Sequence, residues 1–147
     1  RMKIAIGSDH GGIALKRDLI AFLRDEGYAV IDFGPETDER CDYPDYGFAV
    51  AEAVADGKAD RGILICKSGV GMCVVANKVR GVRAVSLHTE EEAILSRRHN
   101  DTNVAVFGAQ FVPAGEAKRF LARWLATDFE GGRHADRICK IERPGRN

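Results

Sequence analysis

A cysteine followed directly by a glycine-rich turn is the feature of this chain best suited to chemistry. The apolar run Ile63–Cys66 ends in a thiol and passes into Lys67–Gly71, KSGVG. Consecutive N–H groups in such a turn can form an anion-binding concavity, and in open α/β sheets ligands bind beyond the carboxyl ends of the strands. With cationic Lys67 beside it, the thiolate of Cys66 should be stabilised, as a base or nucleophile requires. A cysteine here can also be a small core residue, and Ser68 can be only a turn residue.

A second polar turn, GSDHGG at residues 7–12, follows the first apolar run of the chain. It places Asp9 and His10 at the same predicted sheet edge as Cys66. Asp9 by itself is as well explained as a helix cap. The glycines in this turn are wrongly spaced for a dinucleotide fingerprint, and Val74 stands where the turn after Cys66 would need its third glycine. We therefore expect no nucleotide cofactor.

A third polar segment, SRRHNDTNV at residues 96–104, carries His99 and Asn100 at the end of a predicted helix. Imidazole exchanges protons near neutral pH, and an amide beside it can donate a hydrogen bond to a developing oxyanion. A His–Asn pair without other support would more simply be a helix cap. The pair is therefore a candidate acid only in combination with the other segments.

The last predicted helix places Arg133 and Arg137 one turn apart. This spacing suits a phosphate group, although it is also typical of solvated surface. We interpret His88 as a residue of a solvated turn and His134 as a helix-start residue.

These candidate residues depend on an alternation of strand and helix patterns along the whole chain. Five β-branched apolar runs predict strands buried on both faces, beginning at Lys3, Tyr28, Gly62, Val82 and Asn103. The patterns between and after them predict helices over Ala14–Gly27, about Tyr46–Ala55, Gly71–Lys78, Glu90–His99, Gly115–Leu125, and a final helix after Phe129 that frays after Pro144. The prediction is a three-layer, doubly wound (Rossmann-like) α/β fold with a five-stranded parallel sheet and a C-terminal helix.

Composition restricts the class of protein further. A chain of 147 residues fits one domain, residues 1–147, and its 22 basic and 22 acidic residues favour neither nucleic acid nor a membrane surface as a partner. No apolar run reaches the roughly 20 residues of a transmembrane helix, and no secretory segment precedes the first strand. The cysteines lack C-x-x-C and zinc spacing, so we expect four free thiols in a reducing cytoplasm and no metal site.

Several segments, taken in chain order, resemble the ribose-5-phosphate isomerase B family, which also includes galactose- and allose-phosphate isomerases. They are GSDHGG, DYPDYG from Asp42, ILIC-x-x-GVGM, ANK from Ala76, SRRHNDTNV and FEGGRHADR. The resemblance implies a doubly wound fold and aldose–ketose isomerisation of a sugar phosphate without metal or cofactor. It also implies a homodimer with shared active sites, and leaves open whether dimers pair into tetramers.

The resemblance assigns catalytic roles to the matched residues. It makes Cys66 the base that moves a proton between C1 and C2, while His99 of the partner subunit opens the sugar ring and acts as an acid. Ser68 stands where the family usually has threonine and keeps the hydroxyl. The enediolate would be stabilised by Asn100 and the turn that contains Lys67, Gly69, Val70 and Gly71.

The resemblance also assigns substrate contacts. Asp9 and Tyr43 would contact sugar oxygens, and the phosphate would be held by His10, Arg133 and Arg137.

Two positions depart from the family pattern. Lys67 replaces the usual glycine, and Gln110 replaces an arginine that commonly reaches the phosphate across the dimer. Loss of one charge-assisted hydrogen bond weakens binding by about 1.5–3 kcal/mol. Ribose 5-phosphate is therefore the first expected substrate, with a tetrose, allose or galactose phosphate as alternatives. A non-catalytic sugar-phosphate-binding protein and a redox-sensing Cys66 also stay open.

Overall fold

The computed structural model describes residues 2–145, in which strands and helices alternate as predicted. The strands are β1 (Lys3–Ser8), β2 (Ala29–Asp32), β3 (Arg61–Cys66), β4 (Ala84–Ser86) and β5 (Val104–Gly108). The α-helices are α1 (Ile13–Asp25), α2 (Tyr43–Ala55), α3 (Val70–Ala76), α4 (Glu90–Asn100), α5 (Ala114–Ala126) and α6 (Arg133–Ile141).

All five strands are parallel and lie in the order β2-β1-β3-β5-β4. The chain runs outward from β1 to β2 and then returns to the other side of β1 to form β3. The connections after β1 and β3 therefore leave in opposite directions, which opens a crevice between the carboxyl ends of these two strands. The predicted doubly wound fold is confirmed, and its switch point lies between Asp9 and Cys66.

The alternation of side chains along β3 divides the interior into two cores. Ile63 and Ile65 pack with apolar residues of α1, α4 and α5 on one face of the sheet. Leu64 and Cys66 pack with those of α2 and α3 on the other face. Because successive side chains of a strand point to opposite faces, the thiol of Cys66 lies on the α2 and α3 side.

The prediction that every strand is buried on both faces holds for the central strands and is wrong for the edges. In β1, β3 and β5 nearly every residue is buried. None of the residues of β2 or β4 is fully buried. Each edge strand has a neighbour on one side only, and an apolar run in the sequence does not show where its strand lies in the sheet.

Helices α2 and α3 begin earlier than their apolar patterns predict, at Tyr43 rather than Tyr46 and at Val70 rather than Gly71. Pro44 lies in the first turn of α2, where its fixed φ fits and no N–H is required. The earlier start makes Tyr43 the first residue of α2 and places it beside α3.

An ion pair between a buried lysine and an exposed aspartate holds the segment that leads from β2 to α2. Lys16 is 2% exposed, and its Nζ lies 2.8 Å from Asp32 Oδ1. The same ammonium donates to the carbonyl of Pro35 at 2.7 Å. Because a desolvated charge is tolerated only when paired, this arrangement ties the loop before Tyr43 to α1.

The four cysteines are free thiols, as predicted. Within residues 2–145, no helix combines the length and apolar character needed to cross a membrane.

Candidate active site

An open cleft of about 440 Å³ lies at the switch point of the sheet. It is lined by Asp9, Tyr43, Cys66, Lys67, Ser68, Val70, Gly71 and Val74. Seven of these eight residues are candidates from the sequence, and they come from the β1 and β3 ends, from α2 and from α3. The fold thus brings the first half of the predicted site together.

Cys66 is the last residue of β3 and is 5% exposed. The N–H of Gly69 donates a hydrogen bond to its Sγ at 3.1 Å. Among residues 2–145, the N–H groups of Ser68 and Gly71 have no acceptor. The Gly69 donor stabilises negative charge on sulfur, and the N–H groups of Ser68 and Gly71, two residues that line the cleft, can stabilise it on a bound oxygen. This suits a thiolate base acting on a carbonyl compound.

The end of β5 packs directly against the backbone of the turn that follows Cys66. A Cβ at Gly108 would lie 2.4 Å from the carbonyl oxygen of Ser68, so glycine is the only residue that lets the two segments approach so closely. The N–H of Ala109 donates to the carbonyl of Cys66 at 2.9 Å. Gly69 has a φ of 80°, a left-handed conformation that glycine adopts without strain. The donors of the turn are therefore held by backbone geometry.

Asp9 caps the turn after β1 and also lines the cleft, so its contact with a sugar stays a prediction. It is 8% exposed, and its Oδ1 accepts the N–H of Gly11 at 2.9 Å. Its other carboxylate oxygen accepts no hydrogen bond from the described residues. His10 is exposed beside it, and its Nδ1 accepts the N–H of Cys41 at 3.3 Å.

Tyr43 forms the wall of the cleft opposite β1. A Cβ at Gly71 would lie 2.5 Å from the ring of Tyr43, so the ring packs directly on the α3 backbone. Tyr43 remains 39% exposed and Val70 is 65% exposed. The first turns of α2 and α3 therefore present an uncovered apolar rim.

The two departures from the family pattern lie next to each other. Lys67 is exposed on the rim and lies beside the turn after β1. A Cβ built at Gly11 would be 3.6 Å from the Cβ of Lys67. Gln110 is also exposed, and its N–H donates to the carbonyl of Lys67 at 3.0 Å. Both residues are therefore exposed on the same side of the cleft.

His99 and Asn100 end α4 and do not line the Cys66 cleft. The other polar residues of their segment form a structural network. Arg97 is 4% exposed and donates to Asp101 Oδ1 and to the carbonyl of Thr102, each at 2.7 Å. The segment therefore combines buried residues that fix the helix end with two residues available to a ligand.

His134 has more contacts than a helix-start residue needs, and the sequence interpretation missed them. It is 6% exposed, and its ring stacks on that of His99 with centroids 4.4 Å apart and planes at 15°. Glu130 lies beside both rings. The sequence signal was the glycine pair before it, because Gly131 and Gly132 have φ values of 73° and 58° that let the chain turn back over α4.

Arg133 and Arg137 are exposed on α6, one turn apart as predicted. Neither lines the Cys66 cleft. Their part in phosphate binding stays a prediction.

Burial lowers the pKa of His134 below its ordinary value of 6.5, and positive charge on His99, Arg133 and Arg137 lowers it further, against the opposing effect of Glu130. The unfolded chain therefore binds a proton at a higher pH than the native protein, so stability is complete above about pH 6.5 and is lost as pH falls through the lower native value. We expect the melting temperature to fall between about pH 7.5 and about pH 5.5, and to fall less in His134→Phe. Equal losses in the two proteins would contradict this assignment.

A model of the family described as Ribose/Galactose Isomerase matches residues 4–141. The chain belongs to this family. Among its relatives is a ribose-5-phosphate isomerase B of Escherichia coli, 49% identical over 139 residues that cover 95% of this chain and 93% of the relative. A D-erythrulose-4-phosphate isomerase of Pectobacterium atrosepticum is 40% identical over 141 residues, covering 95% and 93%.

A solved structure extends the family likeness to the fold. Ribose-5-phosphate isomerase B of Mycoplasma genitalium with bound ribulose-5-phosphate superposes with a TM-score of 0.91 at 42% identity, covering 95% of this chain and 93% of that one.

Proposed function

We propose that this member of the ribose/galactose isomerase family is an aldose–ketose isomerase that interconverts ribose 5-phosphate and ribulose 5-phosphate. The observation that carries the proposal is the Cys66 thiol, held by the Gly69 N–H at 3.1 Å in a cleft that also contains Asp9. The relatives support the substrate, since one is named a ribose-5-phosphate isomerase B and another was solved with ribulose-5-phosphate bound.

The chemistry follows from the groups in the cleft. The thiolate of Cys66 takes the C2 proton of the open aldose, the C2–H electron pair forms the carbon–carbon double bond, and the carbonyl oxygen takes up the negative charge. The free N–H groups of Ser68 and Gly71 donate to the enediolate oxygens. The proton of the C2 hydroxyl then passes to O1, the electron pair left on O2 forms the C2 carbonyl, and the double-bond pair takes the proton back from Cys66 at C1, which gives the ketose. No metal or cofactor enters these steps.

A second copy of the chain would complete the site. The acid His99 and its neighbour Asn100 lie outside the cleft of their own chain, whereas the rim of that cleft exposes apolar side chains. Tyr43, Val70 and Val74 are 39%, 65% and 58% exposed, and grouped apolar residues of this kind are typical of protein interfaces. A homodimer that brings the partner's acid to each Cys66 accounts for both observations.

The phosphate would be bound by His10, Arg133 and Arg137, all exposed and all able to donate charge-assisted hydrogen bonds. Because Gln110 is uncharged, it supplies at most a neutral hydrogen bond in this group. Four free thiols support a reducing compartment, and we propose the cytoplasm.

A second candidate substrate is a tetrose phosphate. A relative of similar length is named a D-erythrulose-4-phosphate isomerase. Lys67 places an additional cation on the rim, where it could bind the phosphate of a shorter sugar. The chemistry at Cys66 would be unchanged.

Proton exchange in deuterated buffer tests these proposals directly. The protein is incubated with ribose 5-phosphate, erythrose 4-phosphate, allose 6-phosphate and galactose 6-phosphate, and deuterium incorporation with ketose formation is followed by NMR. We expect the fastest exchange with ribose 5-phosphate. Fastest exchange with erythrose 4-phosphate would make Lys67 and Gln110 determinants of specificity. Binding without exchange for all four would favour a non-catalytic sugar-phosphate-binding protein.

A further inference from the structure

The end of α4 and the start of α6 bring two imidazoles and one carboxylate together outside the Cys66 cleft. His99 Nε2 lies 3.6 Å from one carboxylate oxygen of Glu130, and His134 Nε2 lies 3.9 Å from the other. The N–H of Glu130 donates to the carbonyl of Arg98 at 3.0 Å. The carboxylate is therefore anchored by backbone to the residue next to His99.

We propose that Glu130 and His134 are positioning residues that hold His99 of the same chain as the proton-carrying acid for opening the sugar ring. The inference rests on the proposed isomerase function. Glu130 compensates the positive charge of a protonated His99, and the stacked ring of His134 restricts the rotation of its imidazole.

The difference in burial separates the roles of the two rings. Two imidazoles share one carboxylate, so a single positive charge is compensated and a second is not. His134 has an 8% exposed side chain, whereas that of His99 is 40% exposed. Desolvation disfavours the charged form at the buried ring of His134, whereas the ring of His99 is the one that a substrate can reach.

The stacked geometry favours this role over chelation of a metal ion. The three side chains do bring possible ligand atoms to within 4.8 Å of one another. A metal bound by both imidazoles would have to lie in the plane of each ring, along its nitrogen lone pair. Stacked rings whose planes are only 15° from parallel keep their lone pairs in two separate, nearly parallel planes, and one ion cannot lie in both.

The step that would need this acid is specific to closed sugars. Ribose 5-phosphate is a ring closed between C1 and O4. As the C1–O4 bond breaks, its electron pair goes to O4, which receives the proton of His99, while the C1 hydroxyl releases its proton to water and becomes the aldehyde. Ribulose 5-phosphate cannot close a furanose ring, because its O5 carries the phosphate. Removal of its C1 proton by Cys66 therefore requires no ring opening.

Comparison of the two substrates separates this role from a general loss of function. For Glu130→Gln and His134→Ala we expect kcat/KM for ribose 5-phosphate to fall about ten- to a hundredfold, within the range that a general acid contributes. Exchange of the C1 protons of ribulose 5-phosphate in deuterated buffer should stay within about threefold of the original protein, because it bypasses the acid. His134→Phe restores the stacked ring and should recover part of the loss. Glu116→Gln, an exposed carboxylate in the first turn of α5, is the matched control and should leave both rates unchanged.

The outcomes are distinguishable. A fall confined to ribose 5-phosphate supports the inference. Equal losses with both substrates, or no loss with either, would overturn it while the isomerase activity of the original protein stands. Absence of both reactions in the original protein would overturn the proposed function and the inference together.

Discussion

Substitution of Cys66 by alanine is expected to abolish isomerisation, lowering kcat by at least about a thousandfold, within the range attributed to a positioned acid or base. The physical reason is that the thiolate of Cys66, which takes the proton from carbon, lies at the cleft and is stabilised by the Gly69 N–H at 3.1 Å. Steady-state kinetics with ribose 5-phosphate, and deuterium exchange at C2, measure the loss. Cys66→Ser should be similarly inactive, because a hydroxyl is a far weaker acid than a thiol.

Cys139→Ala is the matched control for this experiment. Cys139 is exposed on α6 and its thiol makes no hydrogen bond within residues 2–145, so its removal should leave both stability and turnover unchanged. Circular dichroism and thermal unfolding should show that Cys66→Ala keeps the native fold. A folded Cys66→Ala protein that still isomerises its substrate would show that another group is the base. An activity that disappears reversibly on oxidation of Cys66 would instead revive the redox-sensor hypothesis.

Substitution of Gly108, which pairs with Cys66 across the sheet but does not line the cleft, by alanine is expected to have the second largest effect. The new Cβ would lie 2.4 Å and 2.6 Å from the carbonyl oxygen and carbon of Ser68. Both contacts are with backbone, and the end of β5 is itself held to β3. The turn must therefore move, and with it the N–H groups that face Cys66 and the substrate. We expect kcat/KM to fall by about a hundredfold or more, the effect of losing one oxyanion donor, and the free energy of unfolding to fall by about 1–3 kcal/mol.

Gly115→Ala provides the contrast, because a Cβ there meets no atom within 4 Å and the residue lies within helix α5. That change should leave kinetics unaffected and raise the free energy of unfolding by up to about 1 kcal/mol, through the better helix propensity of alanine. Urea unfolding and ribose 5-phosphate kinetics on the two variants make the comparison. Comparable activity in both would mean that the position of the turn does not control catalysis.

The local pattern of the sequence was sufficient to predict the fold and half of the site. Apolar runs separated by amphipathic segments predict a parallel sheet, because a strand and the next parallel strand need a crossover between them. Residues that directly follow such runs must then meet at one sheet edge. This is why Asp9 and Cys66, which lie far apart in the chain, could be placed together without coordinates.

Features that depend on position within the assembled fold were not predictable in the same way. The apolar runs of β2 and β4 resemble those of the central strands, and only the order of the sheet makes them half-exposed edges. The start of α2 at Tyr43 depends on Pro44 fitting the first turn and on the Lys16–Asp32 pair that holds the preceding loop. Neither feature leaves a periodic pattern in the sequence, because each depends on how residues fit together in the folded chain.

The two histidines show most clearly which features the sequence could not predict. By itself the sequence determined that a thiol, a carboxylate and a set of backbone donors lie at one edge of a parallel sheet, because all of them directly follow apolar strands. Only the tertiary structure decided that His99 lies outside the cleft of its own chain and that His134 is buried against it. Both relations depend on how α4 packs against α6 and on the two left-handed glycines that precede α6. Packing between elements that are distant in sequence leaves no periodic pattern in the local sequence.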